Sequence, residues 1–278
     1  MFTVPEVTLN NGVRIPQLGF GSAGIDAADT VDVVGTAIGA GYRSIDTAAA
    51  YGNEGGVGAA VRQSGLDRER LFITSKVANA DHGYDATLRA FDESLHRLDL
   101  EWLDLYLIHW PLPARDTFVG TWKALEHLYA EGRVRAIGVS NFQIEHLQRI
   151  MDEGGIVPMV NQIELHPRLT QERLRRFHAR HGIATEAWSP LGQGNLLTDP
   201  AICKLAEAHG KTPAQVIIRW HLQIGTIAIP KSATADRIRA NCEVFDFELS
   251  DGDIDAISAL NADQRFGPDP DAFDFVGD

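Results

Sequence analysis

Cysteine is scarce in this chain: Cys203 and Cys242 are its only two, and neither lies in a C-x-x-C or zinc-ligand spacing. A pair of this kind cannot build a disulfide framework, and it reads as inert thiols in a reducing compartment. Basic charge is also in short supply. Lys and Arg number 25 against 38 Asp and Glu, for a formal net charge of −13, which excludes a nucleic-acid binder that works through a basic footprint. A polyanionic ligand would need a local cluster of Lys and Arg set against the global field. Long apolar runs are missing, since no stretch approaches the ~18 residues of a membrane span. Met1 to Leu9 has neither the basic start nor the apolar run of a secretory leader. The expectation is a soluble, cytoplasmic protein. His178 and His181 have no carboxylate placed with them, so they read as a solvated helix face and no metal is expected.

Linkers rich in Pro, Gly and Ser are missing too, and what lies between the ends is regular. Short apolar or β-branched runs alternate with amphipathic stretches, the pattern of a parallel sheet covered by helices. The runs are Gln17 to Phe20, Arg43 to Asp46, Leu71 to Lys76, Leu103 to His109, Val134 to Val139, Pro158 to Ile163, Ile183 to Ala187 and Thr226 to Ile229. This spacing predicts a (β/α)8 TIM barrel, with residues 1–278 as one domain. Before it, Val7-Thr8-Leu9 and Val13-Arg14-Ile15 flank Asn10-Asn11-Gly12. An Asn-Gly pair supplies positive φ angles for a tight turn, so a β-hairpin is expected to close the barrel floor. Asp29 is placed to cap a helix over 30–40 that stops at Gly41, and Thr170 to cap one over 171–181 that stops at Gly182. The end of the chain, about 262–278 and richest in Asp, Pro and Gly from Phe266, is either a frayed tail or a loop folded over a site.

In such a barrel the working residues lie at the C-terminal ends of strands. Asp46, Lys76 and His109 fall there, and Tyr51 follows in the next loop. A Lys or His that ends a buried apolar strand needs a partner or a purpose. The four fit one reaction. Hydride addition to a carbonyl leaves an alkoxide that an acid must protonate, and a phenol serves if its pKa of ~10 is lowered toward neutrality. Lys76 would stabilise the tyrosinate, Asp46 would hold Lys76, and His109 would orient the substrate oxygen.

The segments Gly41 to Ala48, Tyr51-Gly52-Asn53-Glu54, Thr74-Ser75-Lys76, Asp104 to Pro111, Ile137 to Phe142, Asn161 to Pro167 and Ile229-Pro230-Lys231-Ser232 resemble the aldo-keto reductase family, in order and over nearly the whole chain. Trp188 and Val244-Phe245-Asp246-Phe247 are most similar to its bacterial 2,5-diketo-D-gluconic acid reductase branch. The resemblance implies Asp46, Tyr51, Lys76 and His109 as a catalytic tetrad and NADPH as cofactor. It implies that Ser140, Asn141 and Gln162 hold the nicotinamide carboxamide, whose amide needs both donors and acceptors. Trp188 would stack on the ring, followed by Ser189 and by a loop of Leu191, Gly192 and Gln193 along the diphosphate. Lys231, Ser232 and Arg237 form the local cationic cluster that suits a phosphate monoester, and Asn241 matches a position near the adenine.

At Ala78 many relatives carry Trp, so the substrate pocket is expected to be open there, with Trp110 as a wall and a short tail as a smaller lid. Small aldehydes, α-dicarbonyls and keto-sugars are the expected substrates, and the chain is expected to act as a monomer. Two other readings remain to be weighed. Gly19-Phe20-Gly21-Ser22-Ala23-Gly24 is a literal G-x-G-x-x-G, which in a Rossmann dehydrogenase would follow a strand and open a helix, yet the helix here begins only near Asp29. The other reading keeps the barrel but makes it a cofactor-binding accessory protein with little turnover.

Overall fold

The computed structural model describes residues 4–276. Two short strands come first, β1 (Glu6–Thr8) and β2 (Arg14–Pro16), paired antiparallel with Val7 opposite Ile15. Their connection differs in detail from the expected tight turn. Gly12 donates its N–H to Leu9 O at 2.9 Å and takes φ of +87°, whereas Asn11 stays at negative φ and accepts from Val13 N–H through its side chain at 3.1 Å. One positive φ therefore suffices, because the loop has three residues and only its last needs the left-handed region. Asn10 and Asn11 donate to Pro158 O and Arg135 O, beside the N-terminal ends of later strands, which sets the hairpin across the floor.

Eight parallel strands follow: β3 (Phe20–Gly21), β4 (Ser44–Asp46), β5 (Phe72–Val77), β6 (Leu103–Ile108), β7 (Val134–Ser140), β8 (Val160–Glu164), β9 (Ala184–Trp188) and β10 (Ile227–Ala228), hydrogen-bonded in that order. The sheet closes where Leu18 bridges to Ala228, with Gly19 N–H to Ala228 O at 2.9 Å and Ala228 N–H to Gln17 O at 3.0 Å. All eight runs read from the sequence are strands, each within a few residues of the expected span. β6 shows why they are continuous rather than alternating: every residue from Leu103 to Ile108 is buried, one face toward the barrel interior and the other under helices. Burying a leucine such as Leu105 or Leu107 contributes roughly 2 kcal/mol.

The helices cover the outside. α1 (Thr30–Ala40) buries Thr30, Val34, Ala37 and Ile38, a single apolar stripe, and ends at Gly41 with φ of +113°. Asp29 stands before it but makes no capping bond, because it has already taken helical angles; Thr30 instead bonds Asp26 O. α2 (Glu54–Gln63), α3 (Tyr84–Leu98), α4 (Phe118–Ala130) and α5 (Ile144–Glu153) complete the first half. α6 (Glu172–His181) starts one residue later than expected. Gln171 sits in the left-handed region and sends its amide to Glu164 O at 2.6 Å, so Thr170 is not the cap. α7 (Pro200–His209) and α8 (Pro213–Gln223) both lie between β9 and β10, each with Pro in its first turn and capped by Asp199 and Thr212. α9 (Ala235–Ala240) and α10 (Asp251–Ser258) end the regular structure.

His178 corrects the expectation of a solvated face. Only His181 is exposed, whereas His178 is fully buried, with Nε2 2.9 Å from Asn161 Nδ2 and Nδ1 2.9 Å from Thr185 Oγ1. It is a core histidine because α6 packs that face onto β8 and β9. Among the described residues no group of His, Cys, Asp and Glu is placed to hold a metal ion, and no helix is long and apolar enough to cross a membrane.

Candidate active site

The C-terminal ends of β4, β5 and β6 bring the four expected side chains together. Lys76, near the end of β5, is wholly buried; its Nζ lies 2.6 Å from Asp46 Oδ1, 3.0 Å from Thr47 O and 3.3 Å from the Tyr51 hydroxyl. Asp46 closes β4 and is equally buried, while Tyr51 and His109 are half-buried above the pair. The Tyr51 ring stands edge-on to the His109 imidazole with centroids 5.5 Å apart. The charges are thus beneath, and the groups that can meet a ligand are at the mouth.

Tyr51 reaches this place through a short 3-10 turn, Ala49–Tyr51, ended by Gly52 at φ +66°. Asn53 pins the turn from behind: Thr47 donates its hydroxyl to Asn53 Oδ1 at 2.9 Å, and Asn53 Nδ2 donates to Ser22 O and Ile25 O. The loop after β3 and the loop after β4 are therefore one unit. Glycines of the G-x-G-x-x-G segment serve that closure of the barrel rather than a helix start, since Gly19 bonds to Ala228 and α1 begins only at Thr30.

The electrostatics follow from burial. Burial draws the Lys76 ammonium down, but Asp46 and Tyr51 more than offset it and push it up to about 12, so it stays charged. Burial also dominates Tyr51 and holds the phenol above its usual value, against the pull of Lys76. This reverses the expected direction of shift: enclosure outweighs the ammonium, and the phenol keeps its proton at neutral pH. His109 is pushed down to about 3 by burial first and Lys76 second, so its imidazole is neutral.

The ends of β7, β8 and β9 form the facing wall. Ser140 Oγ donates to Gln162 O at 2.8 Å, and Asn141, at φ +66°, donates from Nδ2 to His109 O at 2.9 Å. Asn141 Oδ1 accepts the Trp188 indole N–H at 2.8 Å, which fixes the half-buried ring. Gln162 crosses the barrel to reach Asp46 Oδ2 at 2.8 Å. Beyond Trp188 the backbone is irregular, with Ser189 at φ +46°, Gly192 at +56° and Gln193 at +55°, and Leu191 is half-buried between them. Lys231 and Ser232 follow β10, Arg237 lies in α9, and Asn241 ends that helix, largely buried. Among the described residues neither Lys231 nor Arg237 has an ion-pair partner, although Arg239 beside them is paired with Asp236.

The tail lies over this face. Glu164, at the end of β8 and fully buried, accepts from Phe266 N–H at 2.6 Å and from Gly267 N–H at 3.1 Å, with His166 Nε2 3.0 Å away. Burial opposes its charge, yet His166 and these amides hold the carboxyl below its ordinary value. Further on, Phe273 packs on Trp110 with centroids 4.3 Å apart, Asn79 donates to Phe275 O at 2.8 Å, and Arg115 pairs with Asp274. Of the two fates expected for the tail, it is the loop over the site. Ala78, just past the end of β5, is half-buried, next in sequence to the Asn79 that holds the tail.

Three groups here escaped the sequence reading: Glu164, Phe273 and Glu186. Glu186 is buried and accepts from Gln162 Nε2 at 2.8 Å. Its signal was parity: it lies two residues before Trp188, on the same face of β9.

Comparison with known proteins gives a consistent result. The model of the Aldo/keto reductase family matches residues 16–262. An aldo-keto reductase of Mycolicibacterium smegmatis (strain ATCC 700084 / mc(2)155) is 58% identical over 98% of this chain and 99% of its own. A glyoxal reductase of Bacillus subtilis (strain 168) is 54% identical over 95% of this chain and 96% of its own. Among solved structures, a mutant of Gox0644 in complex with NADPH superposes with a TM-score of 0.95 at 49% identity, over 99% of this chain and all of the other.

Proposed function

The chain belongs to the aldo/keto reductase family, and from that premise we propose that Tyr51 is the acid, Lys76 and Asp46 its electrostatic support and His109 the orienting group of an NADPH-dependent reduction of aldehydes and ketones to alcohols. The observation that carries this assignment is the position of Lys76 Nζ, within hydrogen-bond distance of both Asp46 and the Tyr51 hydroxyl.

NADPH, when bound, supplies the hydride. Tyr51 keeps its proton until an alkoxide forms beside it, then gives the proton to that oxygen; Lys76 stabilises the phenolate left behind until solvent reprotonates it. Asp46 holds the ammonium in place, and neutral His109 offers a hydrogen bond that fixes the carbonyl without adding charge. The chain's own groups suit the cofactor. Ser140, Asn141 and Gln162 would hold the carboxamide, Trp188 the ring, Ser189, Leu191, Gly192 and Gln193 the diphosphate, and Lys231, Ser232 and Arg237 the 2′-phosphate, with Asn241 toward the adenine. The grouping of Lys231, Ser232 and Arg237 after β10 and the likeness to a structure that holds NADPH support NADPH over NADH.

Small aldehydes and α-dicarbonyls are the proposed substrates, supported by the small side chain of Ala78 just past the end of β5 and by the likeness to a glyoxal reductase. Residues 1–278 are proposed to work as one unit, as a monomer in the cytoplasm; one barrel contributes every side chain named above, and sedimentation tests the monomer. The deciding assay follows NADPH absorbance with aldehydes, α-dicarbonyls and keto-sugars, on wild type and Tyr51→Phe, with NADH in parallel. Turnover lost in the variant while NADPH still binds supports the assignment. Tight binding without turnover in the wild type overturns it in favour of an accessory protein.

A further inference from the structure

Glu186 is a carboxyl inside the barrel that the chemistry above does not use. Its Cα is in register with that of Gln162 on the neighbouring strand, and it is only 1% exposed. The charged and titratable groups that act on it come from three other elements: Asp46 on β4, Lys76 on β5 and the Tyr51 phenol in the turn after β4. Among the described residues its carboxyl makes one hydrogen bond, and that bond explains its presence. Gln162 Nε2 donates to Glu186 Oε2 at 2.8 Å and to Asp46 Oδ2 at 2.8 Å. A primary amide carries two N–H groups, and the two carboxyls take both. Flipping the amide would turn its oxygen onto two carboxyl oxygens. Among the described residues nothing donates to Gln162 Oε1, which can only accept.

We propose that Glu186 is a positioning residue for the nicotinamide: together with Asp46 it locks the Gln162 amide so that only the amide oxygen is offered to the cofactor's carboxamide, which must present its NH2 half there. This rests on the reading that Gln162 holds the carboxamide. Without Glu186 one N–H of Gln162 is released and can be offered to the ligand as a donor, so the carboxamide loses its single register. Burial pushes the Glu186 carboxyl up, and Asp46 adds to the push. The bond to Gln162 survives protonation, because one oxygen of a carboxylic acid still accepts.

The test is a fluorescence titration of NADPH against wild type, Glu186→Met, Glu186→Gln, Gln162→Met and the double Met variant, with thermal melts to verify folding; Glu186→Ala replaces Glu186→Met should the latter not fold. Methionine keeps the volume and removes the acceptor, whereas glutamine keeps an acceptor. The expected result is NADPH binding weakened roughly five- to ten-fold by either single Met substitution, the loss of about one hydrogen bond. The double variant is then no weaker than Gln162→Met alone, and Glu186→Gln binds within about two-fold of wild type. If Gln162→Met weakens binding and Glu186→Met does not, the positioning role is overturned while the reading of Gln162 stands. If the Glu186 substitution costs as much in the Gln162→Met background as in wild type, the residue does not act through Gln162 and the proposal also falls. If Gln162→Met binds NADPH like wild type, both fall together.

Discussion

Gly267 lies edge-on against Trp188: a methyl group added to its Cα would stand 2.4 Å from indole Cη2 and 3.2 Å from Glu164 Oε2. The indole cannot yield freely, since Asn141 holds its N–H, and the tail cannot lift without releasing Phe266 and Gly267 from Glu164. Gly267→Ala is therefore expected to weaken NADPH binding by about three- to ten-fold, an overpacking cost of roughly 1 kcal/mol. It should also shift tryptophan emission. Unchanged binding together with unchanged emission would show that the tail does not rest on Trp188 in solution.

Lys76 and Tyr51 should separate activity from stability. Tyr51→Phe is expected to lower kcat by on the order of 10²- to 10⁴-fold and to change the unfolding free energy by less than about 0.5 kcal/mol. Lys76→Met should lose activity to a similar degree but also destabilise the protein by roughly 3–5 kcal/mol, because Asp46 is left buried and unpaired. Adding Asp46→Asn should restore much of the stability and none of the turnover. Urea unfolding of wild type and the three variants checks this; equal stability of Lys76→Met and wild type would contradict the buried pair.

The buried histidines predict acid sensitivity. Burial holds His178 and His221 at about 3, and both are fully enclosed. In the unfolded chain their imidazoles take up protons as pH falls through ~6.5, while the folded ones remain neutral. Stability is thus complete above that pH and is lost as pH drops below it, by about 1.4 kcal/mol per pH unit for each histidine. Unfolding curves at pH 7, 6 and 5 should show this slope, and His178→Leu should make it shallower by one proton. A stability that stays flat down to pH 5 would refute the neutral core histidines.

How far the sequence could be read depended on whether a residue's partner lay nearby in the chain. The strands were legible because burial on both faces writes them as unbroken apolar runs, as in Leu103 to Ile108. The meeting of Asp46, Tyr51, Lys76 and His109 was legible because polar residues at or just past the ends of such runs stand out. Glu186 was not, since a polar residue within the run Ile183 to Ala187 shows no partner in the sequence, and its meaning appears only when Gln162 is set beside it. His178 failed for the same reason, because its partners Asn161 and Thr185 come from two separate strands. The phenol of Tyr51 was placed correctly but its shift was not, as sequence reveals the neighbouring lysine and not the degree of enclosure.

The bond from Gln162 to Asp46 joins residues 116 positions apart. When the first half of the chain leaves the ribosome, it already carries Asp46, Tyr51, Lys76 and His109, yet the carboxylate still lacks the amide that will cap its second oxygen. The arrival of β8 completes that cap. The cluster of Lys76, Asp46 and Gln162 is therefore a product of ring closure, and neither half-barrel carries all of it.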